Sequence, residues 1–119
     1  AFDARMQEVY WGTYKLGSED LMELQGEEQV ILPQSVPVPA SGSGEEKVWT
    51  GGGSGWETYH DVMSERLQEQ LKGWKGDVFP HAQDILPLAV VGFRSGLAVA
   101  AEMAIPVYLR DQVAWKKQK

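Results

Sequence analysis

The 119-residue chain has no cysteine and only two histidines, His60 and His81. Without cysteine there are no disulfides, no thiol nucleophile and no cysteine-held zinc, which agrees with a reducing compartment. His60 and Asp61 are neighbours on an expected helix, where adjacent positions diverge by about 100°, and His81 stands alone at a helix start. No metal site is therefore expected. Positive charge is also scarce: 11 Lys and Arg stand against 17 Asp and Glu, a net charge of −6. Such a balance offers no long-range attraction to nucleic acid or to an anionic membrane, so any role on RNA runs through a partner. No apolar run reaches the length of a membrane span, since Ile85 to Val91 is interrupted by Pro87 and followed by Gly92 and Arg94. The opening AFDARMQEVYW is neither a signal nor a transit peptide, and Ala1-Phe2-Asp3 reads as the tail of a strand, the mark of a fragment.

Catalytic constellations are missing as well. There is no G-x-S-x-G nucleophile turn and no phosphate loop with Lys-Ser or Lys-Thr after its last glycine. Asp3, Glu8, Glu27 and Glu28 are candidate carboxylates, but acid–base work needs a pair facing one cleft. Glu27 and Glu28 are adjacent on a strand and point to opposite faces. All four read as solvated strand and turn positions, and no catalytic residue is assigned.

What is present is a run of alternating β-type segments. Val9, Trp11 and Thr13 alternate with Tyr10, Gly12 and Tyr14, the period of a strand over Val9 to Lys15. Asp3 to Gln7 has the length of a hairpin connection that pairs Phe2 with it. Gly17 to Asp20 is the next turn, and Leu21 to Leu32 a third strand with a bulge or bend at Gly26. Pro33 to Glu46 carries three prolines and a Ser-Gly run, so it reads as a surface loop, either a connector or a Pro-rich ligand. Lys47 to Thr50 is a short buried strand. It runs into Gly51-Gly52-Gly53-Ser54-Gly55 and a helix from Trp56 to about Leu71, with Tyr59, Val62, Met63 and Leu67 at helical spacing and Gly73 as its stop. Asp77 to Phe79 is a very short strand. A second helix follows from near His81 to Ser95, with Gly96 as its C-cap and Pro87 inside it.

Two segments carry a resemblance. DARMQEVYW (Asp3 to Trp11) and PVYLRDQVAWKK (Pro106 to Lys117) are similar to the signatures of the bacterial TsaB family, formerly called YeaZ. The strand–glycine–helix at Trp49 to Trp56 and the QDILPLA helix fall in the family's order between them. The resemblance implies an α/β fold: a ribonuclease H-like domain of the actin-like ATPase superfold, three antiparallel strands plus shorter strands with helices packed on the sheet. It implies that residues 1–119 form one domain, the C-terminal half of a two-domain protein whose N-terminal domain is absent. The first helix of that fold should occupy Pro33 to Glu46, where a loop is expected instead.

For function, the resemblance implies a cytoplasmic, non-catalytic scaffold. It would support threonylcarbamoyl modification of adenosine 37 in tRNA together with a TsaD-type catalytic subunit and a TsaE-type ATPase. Those contacts, and homodimer formation of the full-length protein, would lie mainly on the absent N-terminal domain, and tRNA would be touched only indirectly. Protease activity and a resident cofactor are not expected. The alternative is an enzyme or nucleotide-binding module. In active actin-like ATPases a glycine pair at this corner lies under the adenosine, which makes Gly51, Gly52, Gly53, Ser54 and Gly55 the candidate binding residues, or a vestige of such a site. Arg5 reads as a turn residue paired with Asp3 or Glu8. Tyr108 and Arg110 read as a packed ring and a tail anchor, or as partner contacts. Trp115 with Lys116, Lys117 and Lys119 is the one basic stretch, a solvated tail or a tRNA contact.

Overall fold

In the computed structural model, residues 1–39 and 49–110 are described. Strands β1 (Phe2–Asp3), β2 (Val9–Trp11) and β5 (Gln29–Ile31) form an antiparallel sheet in the order β1-β2-β5. Phe2 faces Tyr10, and Val9 faces Ile31. The expected hairpin and three-strand meander are thus present. Its two long arms are each broken in the middle, however: β3 (Tyr14–Leu16) pairs with β4 (Met22–Leu24) as a separate two-stranded extension. The break falls at Gly12-Thr13 on one arm and Gln25 to Glu28 on the other, where Gly26 has φ +89°, the bend expected there.

β6 (Trp49–Gly52), α1 (Ser54–Leu67) and β7 (Leu71–Lys75) form a parallel strand pair with a crossover helix. Several expectations are corrected here. Trp49 is half-buried and Thr50 exposed, so β6 is not a buried strand, and it extends through Gly51 and Gly52. The helix ends at Leu67, where Gln68 takes φ 45° and breaks the turn. Gly73 lies within β7 opposite Thr50 and does not stop a helix, and Asp77 to Phe79 is not a strand. Lys47, Val48 and residues 40–46 of the Pro33 to Glu46 stretch lie outside the described residues; Pro33–Ser35 is a single 3-10 turn.

The core forms where α1 crosses the sheet. Trp56, Met63 and Leu67, four to seven residues apart along one face of α1, are buried with Val9, Trp11 and Val36. The Trp11 and Trp56 rings pack tilted at 6.3 Å between centroids. Arg66 Nε donates to Val36 O at 3.1 Å, fixing the segment after β5 to the helix.

Helix α2 (Ala82–Arg94) departs from the expected packing: it buries no residue on the sheet. Its ends are nonetheless well made. His81 N donates to the Asp84 carboxylate at 3.0 Å. Gly96, at φ +74°, donates to Phe93 O and Leu97 N to Gly92 O, the paired bonds of a left-handed C-cap. Pro87 lies inside, without the N–H that would have bonded one turn back.

Candidate functional site

The expected site residues meet at the corner where β6 enters α1. Gly51 is buried in β6, and a Cβ there would lie 2.3 Å from the Trp56 ring, so only glycine lets the indole close over the strand. Gly53 is the N-cap of α1 at φ 104°, where an added Cβ would lie 2.4 Å from Ala1 O. Gly55 packs against Ala1 and Val9.

Four polar groups of this corner are bonded to the chain itself. Gly53 N donates to Lys75 O at 3.0 Å, and Gly55 N donates to Ala1 O at 3.1 Å. Gly52 O accepts from Ala1 N at 2.6 Å, and Ser54 Oγ accepts from Asp3 N at 3.2 Å. A phosphate cradle needs several free N–H groups converging at the positive end of the helix. Here Ala1 O takes that place, and Glu57 adds negative charge to the first helical turn. The five residues are therefore brought together, but as a joint between β1, β6 and α1.

Beside the joint lies a cavity of about 260 Å³, lined by Trp11, Gly12, Thr13, Trp49, Thr50 and Gly51 among others, with no Lys or Arg among its lining residues. Its walls are mainly aromatic and apolar, and Trp49 Nε1 is buried without a hydrogen-bond partner among the described residues.

The other singled-out residues separate. Arg5 pairs with Asp3 at 3.7 Å, as expected. Glu8 is taken by Arg110, which also donates to Met6 Sδ at 3.3 Å, so Arg110 ties the segment after α2 to the first hairpin. Tyr108 is 75% exposed and does not pack on the domain. Trp115 and the lysines after it lie outside the described residues. His60 stacks on Trp74 at 4.7 Å and lies 3.2 Å from Asp61, and no cluster of three metal-ligating side chains occurs among the described residues. Nothing in the residue pattern signalled the hairpin's backbone: Arg5, Met6 and Gln7 all have positive φ. The Glu8–Arg110 pair was in principle findable, since each residue belongs to one of the two end motifs.

No family profile matches the chain. It is 40% identical over 119 positions to the tRNA threonylcarbamoyladenosine biosynthesis protein TsaB of Escherichia coli K12, covering 98% of this chain and 49% of that protein. A crystal structure from Pseudomonas aeruginosa, described as an uncharacterized protein with similarity to peptidase YEAZ, superposes with a TM-score of 0.75 at 41% identity, covering 92% of this chain and 47% of the other. YeaZ from the same organism superposes at 0.74 and 40% identity with the same coverage. The chain thus spans about half the length of the relatives it matches. The resemblance carried by the two end motifs is borne out.

Proposed function

Because the chain is a relative of the TsaB (YeaZ) proteins along about half of their length, we propose that it is the C-terminal domain of a non-catalytic scaffold in tRNA threonylcarbamoylation. The observation that carries this reading is the glycine corner: the groups a nucleotide would need are bonded to Ala1, Asp3 and Lys75 of the same chain. In this reading residues 1–119 are one ribonuclease H-like domain. The order β1-β2-β5, with parallel β6 and β7 beside it, supports that fold. The full-length protein works in the cytoplasm as a homodimer with a TsaD-type catalytic subunit and a TsaE-type ATPase, and meets tRNA only through them.

The test is transfer of the threonylcarbamoyl group to tRNA by purified full-length protein, with and without the TsaD-type partner. Transfer is expected only with the partner; transfer or peptide cleavage by the protein alone would overturn the reading. A second reading, nucleotide binding at Gly51 to Gly55, is favoured by the aromatic cavity beside the glycines. Calorimetry with ATP and ADP decides it. No binding heat is expected from this chain or the full-length protein, and saturable heat from either would favour the second reading.

A further inference from the structure

The connection between β1 and β2 is built in an uncommon way. Arg5, Met6 and Gln7 all lie in the left-handed region, at φ 63°, 53° and 62°, and none is glycine. Each such residue costs on the order of 1 kcal/mol and persists only where its surroundings hold it. Ala4 N donates to Glu8 O at 2.9 Å and Glu8 N donates to Arg5 O at 3.0 Å, closing the turn on itself. Arg5 N also donates to Asp3 Oδ1 at 2.9 Å. The turn so held carries Met6 and Glu8 to one guanidinium. Arg110 Nη1 donates to Met6 Sδ at 3.3 Å, while Nη2 donates to Glu8 Oε2.

The two bonds are unequal. A carboxylate takes a charge-assisted bond from arginine, whereas a thioether sulfur is a weak acceptor. Met6 is 65% exposed, so its sulfur is open to small oxidants, unlike that of Met63, which is buried in the core. Met22 and Met103 are exposed too; what distinguishes Met6 is the cation against its sulfur. Hydrogen peroxide oxidises a thioether by two electrons and is itself reduced to water. A sulfur lone pair attacks one peroxide oxygen, and the S–O bond forms as the O–O bond breaks. The departing hydroxide takes the proton of the transferred hydroxyl and leaves as water. The product is a polar sulfoxide whose oxygen is a strong acceptor. The unbranched Met side chain, with three rotatable bonds, can draw back to place that oxygen against Nη1.

We propose that Met6 is a reversible oxidation site whose sulfoxide is bound by Arg110. Oxidation replaces the weak N–H···S bond with a charge-assisted N–H···O bond and tightens the tie between the first hairpin and the segment after α2. That segment is exposed from Gly96 to Tyr108, so the strength of the tie governs how often it opens. Methionine sulfoxide reductase returns the thioether and the weaker tie.

The test uses a background of Met22→Leu with Met103→Leu, which leaves Met6 as the exposed methionine and Met63 as the buried one. The chain is treated with dilute hydrogen peroxide, the peroxide is removed, and peptide mass mapping locates the added oxygen. An elastase-type protease then reports opening between Gly96 and Tyr108. Oxygen is expected on Met6 and not on Met63, with cleavage slowed at least about threefold. Reductase treatment should restore the original rate. The slowing should vanish in Met6→Leu, which has no sulfur there to oxidise, and in Arg110→Gln, which has no guanidinium to hold the sulfoxide. Neither residue contributes to the core, so both variants keep the fold. Unchanged or faster cleavage of the Met6-oxidised chain overturns the proposal. So does equal slowing in either variant, or peroxide that leaves Met6 unmodified.

Discussion

Gly53 and Gly52 are adjacent, yet substitution should affect them oppositely. Gly53 combines φ +104° with a blocked Cβ position against backbone, Ala1 O, that cannot rotate aside. Gly53→Ala is expected to cost about 2–3 kcal/mol, from left-handed strain and the displaced β1–α1 joint. A Cβ at Gly52 meets nothing within 4 Å, so Gly52→Ala should stay within about 0.5 kcal/mol of the parent. Urea denaturation of both variants checks this, and equal losses would refute the joint as described. Tyr14 offers a second residue-scale test. Burial pushes its phenol up to about 12, and its hydrogen bond to Glu28 and that carboxylate's charge push the same way. A pKa raised on folding means that the native state holds the proton longer. The stabilisation is complete below the unfolded value of about 10 and is lost as pH rises through about 12. Phenolate absorbance should therefore include a late step near pH 12 that Tyr14→Phe removes; an unchanged profile contradicts the Tyr14–Glu28 contact.

At the scale of elements, legibility followed how local the signal was. The β1–β2 hairpin, the Gly26 bend and the Gly96 cap were readable because each depends on neighbouring residues: period-two alternation, or a glycine at positive φ. β7 was not, because LKGWK has lysines and a glycine and becomes a strand only by parallel pairing with β6 some twenty residues away. The glycine corner was legible as a strand-to-helix turn but not as a joint, since Ala1 and Asp3 reach it from more than fifty residues back. A tie from still farther along the chain, Glu8 to Arg110, fixes the segment after α2 to a hairpin whose three central residues are left-handed. Both side chains are partly shielded, so breaking the pair should cost more than a surface ion pair, roughly 1 kcal/mol. Because the segment before Arg110 is otherwise exposed, Glu8→Gln should act mainly there. Limited proteolysis between Gly96 and Tyr108 is expected to accelerate in the variant, with the α1 core remaining intact. Identical cleavage rates would show that Arg110 does not hold the segment.

The whole molecule is larger than its length requires: its radius of gyration is 16.6 Å, against about 13–14 Å for a compact chain of this size. No residue of α2 or of the segment between it and Arg110 is buried. Ile85, Leu86, Leu88 and Phe93 are each more than half exposed, and so are Leu97, Val99, Met103, Ile105, Val107 and Tyr108. At 100° per residue the apolar positions of α2 cover an arc of roughly 260°, wider than the stripe by which a helix lies on one flat face. A helix apolar over that arc is stable in water only when covered on two sides. Composition could not foretell this, because a run such as DILPLAVVGF reads equally well as a core helix, and only the fold shows that the core is already filled by α1. The consequence is concentration-dependent self-association of this chain, through α2, which spares apolar surface from water at about 25 cal/mol per Å². Light scattering should show the average mass rising across the micromolar range. The double variant Leu86→Lys with Phe93→Glu should hold it at the monomer mass, with the fold kept because neither side chain contributes to the core. A parent chain that stays monomeric at the highest concentrations would mean that α2 folds back onto its own domain in solution.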